Sequence, residues 1–132
     1  MAMNNERPEE LLVDSEATAA YAHLFDALSD PTRLRVLQHL ATGEHRVRDL
    51  VEHVGLAQST VSKHLSFLLA CRLVSVRPDG RSSWYALAEP GATAGLVGAA
   101  EALLRATGTD ATLCPHIREL DPRDEVERTE VA

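Results

Sequence analysis

The sequence has few cysteines and no long apolar run, and both absences narrow what the chain can be. With only Cys71 and Cys114 among 132 residues, a disulfide scaffold is excluded, which leaves core packing, metal ligation or redox sensing for the two thiols. No apolar run approaches the roughly 18 residues that span a bilayer. The acidic N-terminal segment also lacks the layout of a signal peptide. We therefore predict a cytoplasmic protein with no membrane partner.

Signatures of catalysis are missing as well. The chain has no glycine-rich phosphate loop, no nucleophile elbow and no paired carboxylates placed for acid–base chemistry. Its length and composition describe one ordinary globular domain, since 45% of the residues are hydrophobic and 25% are charged. We predict that the protein is not an enzyme and that it requires no cofactor for folding.

The charge of the chain is unevenly distributed. The net charge is -7, which by itself is unfavourable for binding nucleic acid. Between Arg33 and Arg81, however, eight basic residues stand against four acidic ones, so this segment carries +4 and the remainder carries -11. A basic middle between acidic ends indicates that the middle of the chain binds DNA.

Capping signals define the first two helices. Ser15 suits the N-cap of a first helix, whose apolar residues recur at helical spacing as far as Leu28. Asp30 followed by Pro31 gives an N-cap and a proline at the first helical position. With Gly43 as a left-handed stop, the second helix is predicted to run from Pro31 to about Thr42.

The later elements complete a mainly α fold with a β-hairpin wing. A short third helix ends at Gly55, a fourth begins at Gln58, and a turn at 78–81 separates two strand-like runs before a fifth helix over 92–107. This order of four helices, two strands and a last helix predicts a winged helix-turn-helix domain over 15–108. We predict a flexible N-terminal arm over 1–14 and a C-terminal tail over 109–132 that carries sensor ligands.

The third and fourth helices predict the element that reads DNA. Two short helices joined by three residues, including Gly55, are typical of a helix-turn-helix whose second helix enters the major groove. A polar helix face alone is more often just solvated, so the prediction depends on the ordered set of helices, hairpin and local charge. The side chains predicted to reach bases or phosphates are Gln58, Ser59, Thr60, Ser62, Lys63, His64, Arg77 and Arg81.

The fifth helix favours a homodimer. Residues 92–107 are rich in alanine and leucine and carry only Glu101 and Arg105 as charges. Such an apolar helix has little reason to lie exposed on a small monomer. We predict dimerisation through the first and fifth helices, with double-stranded operator DNA as the other partner.

A resemblance to a known family is carried by two stretches, DALSDPTRLRVLQHL and VRDLVEHVGLAQSTVSKHLSFLLACRLVSVRPDGRSSWYAL. Together they resemble the ArsR/SmtB family of bacterial metal-responsive repressors, from about Phe25 to Leu87. The DPTR start, the S-x-V-S-x-H-L helix and the DGR-x-x-x-Y-x-L wing are the most specific parts. The resemblance implies a winged-helix dimer that represses its operon and leaves DNA when an inducer binds.

Two of the metal sites known in that family are absent from this chain. Many members carry thiols on the third helix, where this chain has Arg46 and Arg48, and arginine cannot ligate a cation. We interpret these two arginines as phosphate contacts or surface residues. The zinc site of another branch lies on the fifth helix, where this chain offers only Glu101.

The cadmium/lead-sensing branch matches better in its site pattern. That branch uses two thiols on the fourth helix and one in the tail, and Cys71 and Cys114 keep two of these positions while Phe67 replaces the third. Soft metals take three or four ligands, and His116, next but one to Cys114, is the candidate for another. The resemblance thus implies Cd²⁺, Pb²⁺ or Zn²⁺ as inducer, with Cys71, Cys114 and His116 as ligands.

The other histidines are not predicted to be strong ligands, and two alternative functions are considered. His64 is a weaker ligand candidate, and the four others have no partner at recognisable spacing, so we expect no ligand role for His23, His39, His45 and His53. Cys71 is as well explained by simple core packing. Two alternatives stay open: a repressor that responds to oxidation of Cys71 and Cys114, and a winged-helix module that binds protein rather than DNA.

Overall fold

A computed structural model of the chain describes the backbone of residues 8–118 and the side chains of residues 14–117. Within this range the chain forms a winged helix-turn-helix, and the predicted mainly α fold with a β-hairpin wing is confirmed. The elements are α1 (Pro8–Leu28), α2 (Pro31–Leu40), β1 (His45–Arg46), α3 (Val47–Val54), α4 (Gln58–Ala70), β2 (Val74–Asp79), β3 (Ser82–Leu87), α5 (Pro90–Ala106) and α6 (Pro115–Arg118).

The helix starts show where capping signals succeed and where they fail. The side chain of Asp30 accepts a hydrogen bond from the backbone N–H of Arg33 at 3.0 Å, which confirms it as the N-cap of α2. The predicted start of α1 at Ser15 is wrong, because α1 begins at Pro8. Proline suits a first helical position, and the residues that follow it are good helix formers. Residues 1–7 of the predicted arm lie outside the described residues.

The helix-turn-helix is made by α3, α4 and the three residues between them. Gly55 has a φ of 77° and ends α3 in the left-handed conformation that glycine adopts without steric cost. Its N–H donates to the carbonyl of Val51 at 2.9 Å. The chain therefore turns sharply at the predicted position and starts α4 at Gln58, as expected.

The wing is a three-stranded antiparallel sheet in the order β1-β3-β2. Val74 pairs with Leu87 at one end of the hairpin, and Gly80, with a φ of 62°, lies in the turn at the other end. The strand β1 was not predicted. It pairs His45 with Tyr85 and Arg46 with Trp84, and two residues are too short to show a strand periodicity.

The hydrophobic core lies between α2, α3, α4 and the base of the wing. Its side chains come mainly from the apolar faces of these three helices, while α1 contributes Ala27 from its last turn. The core residues are Ala27, Val36, Leu37, Leu40, Leu50, Val54, Val61, Leu65, Leu68, Val74 and Leu87. Among the described residues, no helix combines the length and the apolar character needed to cross a bilayer.

The first part of the predicted tail packs against the domain. The backbone N–H of Cys114 donates to Oε1 of Gln38 on α2 at 2.7 Å. Ile117, on the short helix α6, is only 1% exposed. One buried isoleucine between proline and charged residues gives no periodic signal, so the sequence did not predict this packing. Residues 119–132 lie outside the described residues.

Candidate functional site

The helix α4 has one buried face and one polar face. Val61, Leu65 and Leu68 are buried against the core and fix the rotation of the helix about its axis. The opposite face presents polar side chains, of which Gln58, Ser59 and Lys63 are exposed and Thr60 and Ser62 are half-buried. A helix held in this way on its apolar side offers hydrogen-bonding groups at a fixed spacing to a groove of DNA.

A cleft of about 310 Å³ lies between the first turns of α3 and α4 and the wing. Three arginines line it, and Arg48 and Arg81 among them are exposed. Gln58, at the start of α4, also lines the cleft. The predicted helix and wing residues Gln58 and Arg81 are thus brought together, beside two arginines that the sequence placed only as phosphate or surface residues.

Arg46 connects α3 to the wing. Its Nε and Nη2 donate to the two carboxylate oxygens of Asp49 at 3.1 and 3.2 Å, and its backbone N–H donates to Asp49 Oδ2 at 2.9 Å. The guanidinium carbon lies 4.9 Å from the centre of the Trp84 ring on β3. These bonds lower the pKa of Asp49 from 3.8 to about 2. Arg46 therefore positions the wing, a role that sequence reasoning missed.

Arg77, predicted as a wing contact to DNA, is paired within the protein. Its Nε and Nη2 each donate to a carboxylate oxygen of Glu44 at 3.1 Å, and this bidentate pair raises the pKa of Arg77. Its guanidinium also lies 6.0 Å from the centre of Trp84. The pair is exposed to solvent, so a phosphate must compete with Glu44 for this arginine.

His64, also predicted to contact DNA, faces the start of α2. Its Nδ1 lies 3.8 Å from Oδ2 of Asp30 and 3.5 Å from Nη1 of Arg33. Arg33 in turn donates to the carbonyls of Asp26 and Ala27 at 2.7 and 2.8 Å. This network joins α4 to the N-terminus of α2. His64 thus has partners within the protein, and its contact with DNA stays a prediction.

Cys71 caps the C-terminus of α4 and lies beside α1. Its Sγ is 3.5 Å from Nε2 of His23, a histidine for which the sequence gave no partner. Burial raises the pKa of the Cys71 thiol, which favours the neutral form over the thiolate that binds metal. Phe67, which replaces the missing thiol, stacks under the guanidinium of Arg33 at 4.4 Å and lies 5.8 Å from the His23 ring.

Cys114 and His116 lie together against α2. The Sγ of Cys114 is 3.3 Å from Nδ1 of His116, and both line a shallow cleft with Gln38 and His39. Cys71, in contrast, has its neighbours on α1. Over residues 14–117, no three His, Cys, Asp or Glu side chains form a group ready to hold a metal ion. Within one protomer, therefore, Cys71, Cys114 and His116 do not form a complete site.

Three histidines that the sequence left without partners form a cluster. The ring centre of His53 lies 5.2 Å from that of His39 and 5.6 Å from that of His45. Burial lowers the pKa of His39, and the charges of the two other histidines and of Arg35 lower it further. No spacing rule finds this cluster, because its members end one helix, occupy a two-residue strand and end another helix.

The helices α1 and α5 leave large apolar side chains exposed. Tyr21 and Phe25 on α1 are 63% and 52% exposed, and Leu103 on α5 is 66% exposed. Between α1, α2 and α5 lies an almost wholly apolar cavity of about 360 Å³. Leu24 and Leu96 are among its lining residues. Dimerisation through these two helices stays a prediction.

Comparisons with known proteins identify a family model and a curated relative to which this chain is similar. Residues 30–76 match the family model described as bacterial regulatory protein, arsR family. Over 69 residues the chain is 46% identical to a probable mercury resistance operon repressor of Streptomyces lividans. The aligned region covers 52% of this chain and 55% of that relative. The match therefore spans about half the length of the curated relative.

Similarity to solved structures extends over about four fifths of this chain and nearly all of each neighbour. The crystal structure of NolR from Sinorhizobium fredii is 32% identical with a TM-score of 0.59, and the match covers 79% of this chain and 96% of NolR. The homodimeric winged helix-turn-helix DNA-binding domain of Mb0332 from Mycobacterium bovis is 26% identical with a TM-score of 0.60. That match covers 80% of this chain and 95% of the domain.

Proposed function

Because the chain belongs to the ArsR family of bacterial regulatory proteins, we propose that it is a homodimeric transcriptional repressor that binds operator DNA in the cytoplasm. The observation that carries the proposal is the polar face of α4 beside a cleft lined by Arg46, Arg48 and Arg81. Its similarity to transcriptional regulators, together with the absence of catalytic motifs, supports a role without enzymatic activity.

In this proposal α4 supplies the base contacts and the cleft supplies the phosphate contacts. Gln58, Ser59 and Lys63 are exposed and suit the edges of bases in the major groove. Thr60 and Ser62, half-buried on the same helix, suit phosphate oxygens nearby. Arg48 and Arg81 add positive charge on both sides of the cleft, which offsets the overall charge of -7 where DNA is bound.

The experiment is a titration of a fluorescent duplex from the chain's own promoter with the protein at several salt concentrations. We expect affinity to fall steeply with salt, and Arg81→Ala, which removes a proposed phosphate contact of the cleft, to reduce the slope of log K against log salt by about one. Arg105→Ala removes a comparable positive charge from α5 and is the matched control, with an unchanged slope. Binding that is absent, or that does not depend on salt, would refute the proposal and favour a protein-binding module.

We further propose that the inducer is a soft or borderline metal ion, Cd²⁺, Pb²⁺ or Zn²⁺, with Cys71, Cys114 and His116 as its ligands. The contact between Cys114 and His116 supports a chelating pair in the tail. Since Cys71 has different neighbours, a complete site requires either movement of the tail towards α4 or a contact between protomers. The ion would act as inducer if it binds preferentially to the form with low affinity for DNA.

Thiolate absorption during titration with each metal tests this part of the proposal. Cys114→Ser should abolish the charge-transfer band and the metal-dependent release of DNA, while His64→Asn should leave the band unchanged. If Cys114→Ser releases DNA with metal as the parent does, these ligands are wrong. A response to peroxide that needs both cysteines, without a response to metal, would favour the redox alternative.

A further inference from the structure

Three histidines that have no place in the proposed thiol site come together in the structure. His39 lies in the last turn of α2, His45 lies in β1 and His53 lies in the last turn of α3. The ring of His53 is central, at 5.2 Å from the ring of His39 and 5.6 Å from that of His45. Half of the six histidines of the chain are thus gathered in one cluster.

We propose that His39, His45 and His53 form a binding site for a borderline divalent metal ion such as Zn²⁺, Ni²⁺ or Co²⁺. Imidazole nitrogen is a preferred ligand of these ions. With metal–nitrogen bonds of about 2.0–2.1 Å, two imidazoles on one tetrahedral ion have ring centres about 5 Å apart. The separations of the His53 ring from the rings of His39 and His45 are both close to this value.

The ring of His45 already has the tautomer that a ligand would need. Its Nδ1 lies 2.8 Å from the carbonyl oxygen of Gly43. A carbonyl only accepts hydrogen bonds, so Nδ1 must carry the proton, and the neutral ring then has its lone pair on Nε2. A bond from the second ring nitrogen to a backbone carbonyl is the usual support of a metal-bound histidine.

Side-chain rotation must bring the three rings together before they can hold an ion. The three rings do not yet point at a common centre, as the absence of a ready metal group among the described residues shows. His53 is exposed, and exposed side chains change rotamer within nanoseconds. The charge of Arg35 near His39 opposes a cation, and solvent screens it.

An ion in this cluster would join the helix-turn-helix to the wing. His39 and His53 end the two helices that precede α4, while His45 pairs with Tyr85 of β3. Binding would therefore restrain the wing relative to α2 and α3, beside the cleft that His39 shares with Cys114 and His116. The proposal does not depend on the identity of the inducer.

The test uses the full chain without an affinity tag and with Cys71→Ser and Cys114→Ser, so that thiols cannot contribute. Titration with Co²⁺, followed by visible absorption and by calorimetry, should show one ion per protomer. Adding His53→Asn should weaken binding at least about tenfold, since even supporting residues of metal sites have effects of that size. Adding His23→Asn, the matched control, should change affinity less than twofold.

Circular dichroism verifies that each variant is folded, and imidazole nitrogen signals of His45 should shift on addition of diamagnetic Zn²⁺. The proposal is overturned if the thiol-free chain binds no Co²⁺, or if His53→Asn binds it as well as its parent. It is also overturned if His116→Asn abolishes binding, because the tail would then hold the ion. Each of these outcomes is independent of DNA binding.

Discussion

The helix-turn-helix with its wing differs from the helices α1 and α5 in how much apolar surface a single protomer buries. Between Val36 and Leu87 the apolar stripes close on one another, and ten of the eleven core residues lie there. The helices α1 and α5 instead leave Tyr21, Phe25 and Leu103 more than half exposed. The core of the helix-turn-helix and wing is thus closed within one chain, whereas α1 and α5 leave apolar surface uncovered, as the proposed dimer requires.

The largest expected effect is on the stability of the core between Val36 and Leu87. Leu65→Ala removes a side chain that is 1% exposed, and such truncations lower the free energy of unfolding by roughly 2–5 kcal/mol because they leave a cavity. Urea denaturation followed by circular dichroism measures the change. Val76→Ala, at a residue of the wing that is 43% exposed, is the control and should cost less than about 1 kcal/mol. A similar cost for both variants would contradict the comparison.

The next effect concerns the dimer interface that is predicted on α1 and α5. Tyr21→Glu combined with Leu103→Glu places charges on exposed apolar sites of α1 and α5. If these sites meet in the dimer, the buried charges cost about 3 kcal/mol or more, so the dimer should dissociate at least about 100-fold more readily. Sedimentation equilibrium gives the dissociation constants. Val76→Glu on the wing should leave the dimer intact, and an intact dimer in the double variant would disprove this interface.

A smaller effect depends on pH and concerns the attachment of the wing. The pKa of Asp49 is lowered from 3.8 to about 2, first by the side-chain hydrogen bond from Arg46. The carboxylate form is thus favoured in the folded state, and it stabilises the fold above pH 3.8 and loses this contribution as the pH falls towards 2. Asp49→Asn should therefore be less stable than the parent at pH 6, with the difference shrinking between pH 3.8 and 2.

Urea denaturation of both proteins across this pH range measures that difference. Glu52→Gln, at an exposed carboxylate on the same helix, is the control and should not follow the same pH dependence. A difference between Asp49→Asn and the parent that stays constant from pH 6 to pH 2 would show that Asp49 does not act through its charge.

The smallest effect sharpens the role of the wing in DNA binding. Glu44→Gln weakens the exposed pair that holds Arg77, and such pairs contribute about 0.2–1 kcal/mol. The variant should therefore bind the promoter duplex more tightly, by up to about fivefold. Glu101→Gln, which weakens the pair with Arg105 on α5, should change affinity less than twofold. Weaker binding by Glu44→Gln would mean that Arg77 is better positioned by Glu44 than without it.

The sequence predicted the helix-turn-helix and its wing more fully than the rest of the fold. Asp30, Gly55 and the turn at Gly80 act through local backbone chemistry, so their positions could be read directly and are confirmed. Contacts between residues distant in sequence could not be read. The pairing of His45 with Tyr85 in β1 and the packing of Ile117 are set by tertiary structure and leave no periodic pattern.

The candidate sites also divide into residues that local sequence predicts and residues whose partners are distant in sequence. Gln58 and Arg81 were predicted from the helix and the hairpin, and the structure places them on one cleft. The partners of His64 and Cys71 lie 31 and 48 positions away in the chain, so no spacing rule could identify them. The assignment of metal ligands remains a prediction, because the described part of a single protomer does not bring Cys71 to the tail.

Mapping of backbone amide signals on addition of promoter duplex tests the central claim most directly. The account predicts that the largest chemical-shift changes fall on Gln58 to Lys63 and on the turn around Arg81, with small changes along α5. Shifts concentrated on α1 and α5, with α4 unaffected, would contradict the assignment of α4 and the wing as the DNA-reading surface.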